Sequence, residues 1–146
     1  MIRLEKGNLL KSDCTVIAHQ CDCFNAMDVG IAKSVKETYP EAAKADEDFP
    51  FSPKKKLGKC SFALSRDNKR IIANLYGQYK PAGLQTNYPA WLKSFEHMIK
   101  ELKPFEEKGF KIKIGCGIDK DDLINVKKSL EKLSKKYEKP IHVYYS

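Results

Sequence analysis

The chain has 146 residues, 42% of them apolar and 32% charged, and carries a formal net charge of +8. This length and composition fit one globular domain over residues 1–146 with its own hydrophobic core, and they exclude an intrinsically disordered chain. No apolar run approaches the roughly 20 residues that a membrane-spanning helix needs, so contact with a membrane is not expected.

The cysteine content and the first residues favour a cytoplasmic protein with reduced thiols. The five cysteines are an odd number and do not form the framework of a small disulfide-rich domain. The first six residues carry charge at alternate positions and lack the apolar segment of a signal peptide. The positive charge would attract nucleic acid or a phosphorylated ligand, although most lysines are expected only to keep the surface soluble.

The first third of the chain predicts a strand, a helix and a loop. The apolar run at 15–20 is typical of a buried strand. Apolar residues recur at helical spacing over 30–39, and Pro40 is expected to end that helix. The prolines and the lysine run within 46–56 predict a loop.

Two strands and a helix are predicted next. The segments 60–64 and 70–76 are typical of strands, and the polar residues 66–69 are expected to form the hairpin turn between them. From Tyr88 onward, apolar residues line one face of a helix that is expected to end at Pro104.

The last third predicts a strand over 110–114, a second amphipathic helix beginning near Asp121, and a final strand over 141–145. This alternation of strands and helices is typical of an α/β sandwich with helices on both faces of the sheet. Ligands of such sheets bind at the loops beyond the strand ends, which here are 21–29, 77–87 and 115–121.

Two of these loops place glycines next to a helix. Gly30 lies at the entry of the predicted helix 30–39, where the backbone can approach a ligand closely and free N–H groups can bind a phosphate. Gly115 and Gly117 would form a second backbone cradle in the loop 114–120. Two facing cradles suit a diphosphate, although each glycine alone is also typical of an ordinary turn.

Asp119 follows these glycines at the rim of the expected site. A carboxylate there can activate a water molecule or stabilise an oxocarbenium-like centre on a ribose. The alternative is that Asp119, Asp121 or Asp122 only caps the following helix, and the residue types alone favour this alternative.

His19, Cys21 and Cys23 would point the same way on an extended strand, so a metal site has to be considered. A structural zinc site usually takes four such ligands, and the sequence has no second cluster, so no metal is expected. A buried, hydrogen-bonded His19 is favoured over a metal ligand. A packed thiol at Cys116 is favoured over a nucleophile, since no partner base is identifiable.

Several motifs together resemble the macrodomain family, in matching order over nearly the whole chain. The segment V-I-A-H-Q-C-D-C-F-N-A-M-D-V-G-I-A at 16–32 resembles the first ligand loop and helix of that family. The motif Gly-Cys-Gly-Ile-Asp at 115–119 resembles its terminal ADP-ribose glycohydrolase branch. Further matches are Gly-Asn-Leu-Leu at 7–10, Tyr-Pro-Glu-Ala at 39–42, Ala-Asn-Leu-Tyr-Gly-Gln at 73–78 and His-Val-Tyr at 142–144.

The resemblance implies a three-layer α/β/α sandwich around a central mixed sheet of about six strands, with a site for ADP-ribose. It places Asn8, Leu9 and Tyr144 near the adenine, and Asp22 and Asn25 near the distal ribose. Asp119 would act at C1″ of that ribose, and His19 matches a histidine of members that dephosphorylate ADP-ribose 1″-phosphate. The residues around the diphosphate and in the adjoining loops would be Met27, Val29, Gly30, Ile31, Ala32, Gly77, Gly115, Cys116, Gly117 and Ile118.

Four positions depart from the family pattern. Asn8 replaces an aspartate that accepts a hydrogen bond from the adenine amino group, which an asparagine oxygen can still do. Asp22 replaces an asparagine and Asp28 replaces a glycine, so two negative charges are added near the diphosphate. The glycohydrolase branch also pairs its aspartate with a lysine, and this chain has Gly77 or Gln78 at that position.

The resemblance implies a hydrolase that releases ADP-ribose from a conjugate, either a carboxylate ester on a protein or a nucleic-acid attachment, with Asp119 acting at the distal ribose. Two alternatives stay open: a phosphatase for ADP-ribose 1″-phosphate, and a module that binds ADP-ribose without turnover, which the missing lysine favours. No cofactor is expected, and the protein is expected to act as a monomer in the cytoplasm.

Overall fold

The structure, a computed structural model, describes residues 1–27, 30–81 and 86–145. Six strands form one mixed sheet: β1 (Ile2–Lys6), β2 (Val16–Asp22), β3 (Cys60–Leu64), β4 (Ile71–Gln78), β5 (Ile114–Ile118) and β6 (Ile141–Tyr145). Their order across the sheet is β1-β6-β5-β2-β4-β3. The pairing of β3 with β4 is antiparallel, as the predicted hairpin requires, and the other four pairings are parallel.

Helices cover both faces of this sheet. One face carries α1 (Gly30–Thr38), α2 (Pro40–Asp48) and the short α3 (Pro53–Lys56), and the other carries α4 (Tyr88–Glu107) and α5 (Lys120–Tyr137). A 3₁₀ helix at Leu9–Lys11 follows β1. The expected α/β/α sandwich with a mixed six-stranded sheet is therefore confirmed. Within the described ranges, no helix combines the length and apolar character needed to cross a membrane.

The central strand β2 explains why the sheet is covered on both sides. Val16 and Ala18 pack in the hydrophobic cluster formed with α4 and α5, whereas Ile17 and Cys21 pack in the cluster formed with α1 and α2. Successive side chains of a strand point to opposite faces, so a continuous apolar run is stable only where both faces are covered.

Three element boundaries differ from the predictions. The predicted loop 46–56 contains the end of α2 and all of α3, because Pro40 and Pro53 begin these helices at positions where a missing N–H has no intrahelical acceptor. Helix α4 continues through Pro104 to Glu107. The proline lies in the last turn, and the following Phe105 packs against the hydrophobic core, so the turn remains helical.

The sequence pattern does not predict β1, since its alternating charged side chains are also typical of a solvated segment. It lies at the edge of the sheet, paired with β6, where exposed charged side chains are common.

The most consequential correction concerns β5. The strand predicted over 110–114 lies further along the chain: residues 110–113 are not in a strand, and β5 spans Ile114–Ile118, so residues 115–118, predicted as a loop, belong to it. This strand pairs with both β2 and β6. A Cβ atom on Gly115 would lie 2.5 Å from Cδ1 of Leu9 and 2.7 Å from Sγ of Cys14. Close packing beneath the 3₁₀ helix, rather than a turn, therefore requires glycine at this position.

Candidate functional site

A cleft of about 460 Å³ lies across the C-terminal ends of four neighbouring parallel strands. Its floor and walls include Tyr144 from β6, Gly117 from β5, Asp22 from β2 and Gln78 from β4. The first residues of α1 and the N-cap of α5 lie at its sides. Open α/β sheets bind ligands at this edge, and the volume is in the range of small-molecule sites.

Most of the residues predicted for the site line this cleft. They come from the 3₁₀ helix, the end of β2, the start of α1, and the end of β5 with the residue after it. They are Asn8, Leu9, Asp22, Met27, Gly30, Ile31, Ala32, Gly117, Ile118, Asp119 and Tyr144.

His19 does not line the cleft. Its side chain is completely buried, and its Nε2 lies 2.6 Å from Oδ1 of Asn74. Burial lowers the pKa of His19 to about 4, so the ring is neutral at physiological pH. A side chain enclosed in this way does not reach a ligand in the cleft, and the catalytic role predicted for His19 is not supported by its position.

Four other predicted residues also lie outside the lining. Gly77 faces Trp91, Gly115 faces Leu9 and Cys14, and Asn25 is an exposed residue of the loop after β2. Cys116 is completely buried, and burial raises the pKa of its thiol to about 12, which matches a packed cysteine rather than a nucleophile. Val29, predicted at the diphosphate, and Asp28 lie outside the described residues.

The cysteines of the first loop are not arranged around a metal. Sγ of Cys21 lies 3.7 Å from the ring nitrogens of His19, and both side chains are buried. Across the part of the chain that the structure describes, no three His, Cys, Asp or Glu side chains are placed to hold a metal ion.

The start of α1 supplies hydrogen-bond donors to the middle of the cleft. Gly30 has a φ of +55°, a conformation that glycine adopts without strain, and it lines the cleft together with Ile31 and Ala32. The first N–H groups of a helix have no intrahelical acceptor and carry the positive end of the helix dipole. Among the described residues that line the cleft there is no lysine or arginine, so a bound anion would depend on these backbone groups.

Three carboxylates of the described residues line the cleft, and two of them are held by neighbouring groups. Oδ1 of Asp22 accepts a hydrogen bond from the backbone N–H of Phe24 at 2.6 Å. Asp122 accepts hydrogen bonds from the hydroxyls of Thr86 at 2.9 Å and Tyr88 at 2.8 Å. These contacts fix the loop after β2 and the start of α4 against the cleft.

Asp119 differs from these two carboxylates. It is the N-cap residue of α5, yet its side chain makes no capping hydrogen bond and is exposed. The alternative that Asp119 merely caps the helix through its side chain is therefore wrong. The carboxylate is available to a ligand at the mouth of the cleft.

Several lining residues were not predicted, most clearly Gln20 and Gln78. Nε2 of Gln20 donates to Oε1 of Gln78 at 2.9 Å and to the hydroxyl of Thr86 at 3.1 Å. The signal was present, because polar residues that end two neighbouring parallel strands meet at the ligand-binding edge. The remaining unpredicted lining residues are Gly7, Leu10, Ser34, Pro81, Trp91, Asp122 and Tyr145.

At the opposite end of the cleft, Asn8 and Tyr144 lie near the edge strand. Oδ1 of Asn8 accepts a hydrogen bond from the backbone N–H of Leu10 at 2.9 Å, which caps the 3₁₀ helix and leaves one oxygen lone pair for a ligand. A hydrogen bond with the Glu5 carboxylate raises the pKa of Tyr144 to about 12, so its ring stays a neutral surface.

Comparison with known proteins gives one relative in sequence and several in structure. No protein-family model matches the chain. An uncharacterized 17.5 kDa protein from the tk-vs intergenic region of Enterobacteria phage T4 is 30% identical over 149 residues, which cover 94% of this chain and 93% of the phage protein.

Two solved structures show the fold. The macrodomain of Mycobacterium tuberculosis DarG superimposes with a TM-score of 0.72 at 19% identity, covering 99% of this chain and 97% of that chain. Thermosipho africanus DarTG in complex with ADP-ribose gives a TM-score of 0.72 at 15% identity, covering 99% of this chain and 42% of that chain.

Proposed function

The chain belongs to the same family as the phage T4 protein and has the macrodomain fold, and on this basis we propose that its cleft binds ADP-ribose. We further propose that it hydrolyses ADP-ribose from a conjugate, with Asp119 as the catalytic residue. The observation that carries the second proposal is the exposed Asp119 carboxylate, which lines the cleft and has no capping role.

The chemistry of the cleft suits the parts of ADP-ribose in order. At the β6 end, Asn8 offers an acceptor and Tyr144 an aromatic surface for an adenine ring. In the middle, the first N–H groups of α1 would hold the diphosphate. At the β2 and β4 end lie carboxamides and carboxylates, including Gln20 and Asp22, which suit the hydroxyls of a ribose.

Asp119 would act at C1″ of the distal ribose. From the N-cap of α5 it can accept a proton from an attacking water molecule, and its negative charge can stabilise positive charge developing at C1″. Asp22 and Asp122 are less suited to this role because their oxygens already accept hydrogen bonds from neighbouring groups.

The conjugate would be a carboxylate ester on a protein or an attachment to nucleic acid. The net charge of +8 contrasts with a cleft whose charged lining residues, within the described ranges, are all aspartates. Surface lysines outside the cleft would therefore contribute the attraction to a polyanionic carrier, and binding to a nucleic-acid conjugate should weaken as salt is raised.

Binding without turnover is the second candidate. The chain has Gly77 and Gln78 at the end of β4, where the resemblance leads one to expect a lysine, and no described lining residue is a lysine. A binding module would retain ADP-ribose affinity with no release from any conjugate. The phosphatase alternative has less support, because the histidine it depends on is enclosed behind the cleft.

Calorimetric titration with ADP-ribose, AMP and ribose 5-phosphate tests the first proposal. We expect saturable one-to-one binding of ADP-ribose that is tighter than that of either fragment, since both ends of the cleft contribute. Absence of ADP-ribose binding at millimolar ligand would reject the proposed function. The hydrolysis proposal is tested separately by release of free ADP-ribose from defined conjugates.

A further inference from the structure

The segment 7–15 connects β1 to β2 and forms part of the wall at the β6 end of the cleft. The 3₁₀ helix at Leu9–Lys11 is its regular part, and the rest of the segment runs outside the sheet. Its backbone carbonyls therefore need donors from other parts of the protein. Four consecutive residues of the segment line the cleft, namely Gly7, Asn8, Leu9 and Leu10.

The guanidinium group of Arg70 donates to three of these carbonyls. Its Nε donates to the backbone carbonyl of Cys14 at 3.0 Å, and its Nη1 donates to that of Leu10 at 2.9 Å. Its Nη2 donates to the backbone carbonyl of Ser12. The planar guanidinium presents several N–H groups in fixed directions, which the single ammonium of a lysine does not. One side chain therefore holds the backbone of residues 10–14.

Arg70 is itself fixed in place, and it also contacts the end of α1. Its backbone N–H donates to Oγ of Ser65 at 2.9 Å, and its carbonyl accepts from the backbone N–H of Ser65 at 2.9 Å. Nη1 donates a further hydrogen bond to the hydroxyl of Tyr39 at 2.7 Å, directly after α1. The guanidinium therefore joins the segment 7–15 to the helix whose first residues line the cleft.

These hydrogen bonds lie away from the ligand site. Arg70 directly precedes β4, which runs parallel to β2, so it lies at the edge of the sheet where these two strands begin. The cleft lies at the opposite edge, where the strands end, and Arg70 is not one of the described residues that line it. Any effect of Arg70 on a ligand therefore passes through the segment that it holds.

We propose that Arg70 is a positioning residue for ligand binding, which holds the segment 7–15 so that Asn8 and Leu9 are already in place when the adenine end of the ligand enters the cleft. This inference rests on the proposed ADP-ribose function. A segment that is fixed in advance loses little conformational entropy on binding. Ordering even one loose backbone residue on binding would weaken affinity by about tenfold.

The substitution Arg70→Lys keeps the positive charge and loses the guanidinium that serves three carbonyls. We expect AMP and ADP-ribose to bind about tenfold more weakly in calorimetric titration. Ribose 5-phosphate, which contains no adenine, should bind with unchanged affinity, whereas a general loss of structure would weaken all three ligands. Arg66→Lys is the matched control, because Arg66 is exposed in the neighbouring hairpin turn. It should change none of these affinities.

Hydrogen exchange tests whether the loosening is local. In the wild type, the backbone N–H of Leu10 donates to Oδ1 of Asn8 at 2.9 Å, and that of Cys14 donates to Oγ of Ser12 at 3.2 Å. Both amides should exchange faster in Arg70→Lys, whereas amides of β4 should exchange as in the wild type. Added AMP should slow the two amides again, and ribose 5-phosphate should not. Unchanged exchange at both amides would contradict the anchoring role.

Tyr39→Phe gives a milder change that decides the question alone if Arg70→Lys does not fold. It removes one acceptor of the guanidinium and keeps the ring that packs against the core. We expect AMP to bind about two- to threefold more weakly, with ribose 5-phosphate unaffected. Unchanged AMP affinity in every variant that folds, or equal weakening of AMP and ribose 5-phosphate, would overturn the inference. A wild-type protein that binds no ADP-ribose would instead reject the proposed function.

Discussion

A Cβ atom on Gly117 of β5 would lie 2.3 Å from Cδ1 of Ile31 on α1, so the strand and the helix meet across the cleft without room for another methyl group. Both residues line the cleft. This close approach sets the width of the site at the point where the start of α1 offers its N–H groups.

Substitution Gly117→Ala should therefore impair ligand binding more than folding. The atom in the way is the flexible end of a half-buried side chain, so Ile31 can rotate at a cost to stability of about 1 kcal/mol or less. The displaced side chain would narrow the cleft, and ADP-ribose affinity should fall at least tenfold in calorimetric titration. Unchanged affinity would show that the ligand does not pass between these residues.

Gly77→Ala should instead destabilise the folded protein more than Gly117→Ala does. Its Cβ would lie 2.5 Å from Cδ1 and 2.8 Å from Cβ of Trp91, which is buried in the core and cannot rotate away. Overpacking of this kind costs about 1–3 kcal/mol, measured as the free energy of unfolding in urea. If Gly77→Ala lowers the free energy of unfolding no more than Gly117→Ala does, the packing role assigned to Gly77 is contradicted.

The buried His19 predicts a decline in stability at acidic pH. Its folded pKa of about 4 lies below the ordinary value of 6.5, so the unfolded chain binds a proton in this window while the folded protein does not. The stabilising contribution is complete above pH 6.5 and falls as pH drops towards 4, by on the order of 3 kcal/mol for this pKa difference.

Urea unfolding of His19→Gln across pH 4 to 7 measures this contribution. Its free energy of unfolding should depend less on pH than that of the wild type, whereas His97→Gln, at an exposed histidine, should follow the wild type. Parallel curves for wild type and His19→Gln would show that His19 keeps an ordinary pKa in the folded protein.

The thiols should be unreactive in the folded protein. All five cysteines are buried and unpaired, and burial raises the pKa of Cys116 to about 12 and that of Cys23 to about 11. A thiol reagent at pH 8 should modify them only after denaturation. Cys116→Ser should retain hydrolysis, and loss of turnover with intact ADP-ribose binding would reassign Cys116 as a participant in the reaction.

The elements that sequence patterns predicted well are those with one dominant local signal. The apolar run at 15–20 predicted β2, and the helical spacing over 30–39 predicted α1, because both signals are contained in the local sequence. The glycines of β5 were wrongly interpreted as a loop. Gly115 is needed because a larger residue would clash with Leu9 and Cys14, which lie far away in sequence. A pattern of glycines does not distinguish a turn from a strand beneath a closely packed helix.

The residues of the candidate site also differ in how well the sequence predicts them. Motif resemblance located Asp119 and Gly30, whose place at helix starts follows from local sequence. The buried, hydrogen-bonded His19 that the residue types favoured is confirmed. The resemblance alone assigned His19 a catalytic role, because it carries no information on the enclosure of this side chain beside Asn74 of the neighbouring strand. The hydrogen bond from Lys56 to Asn25 could not be predicted either, since the two residues are brought together only by tertiary packing.

The proposed hydrolysis at Asp119 is tested by measuring the release of free ADP-ribose by wild type and Asp119→Asn in single-turnover reactions, with chromatography to follow the product. The conjugates are a glutamate-linked mono-ADP-ribosylated protein and an ADP-ribosylated oligonucleotide. Calorimetry with ADP-ribose provides the control for an intact cleft. We expect release from at least one conjugate by the wild type, and a loss of 100-fold or more in Asp119→Asn, a typical effect of removing a general base. Equal release by Asp119→Asn, or no release by wild type from either conjugate while ADP-ribose still binds, would contradict the proposed hydrolysis at Asp119.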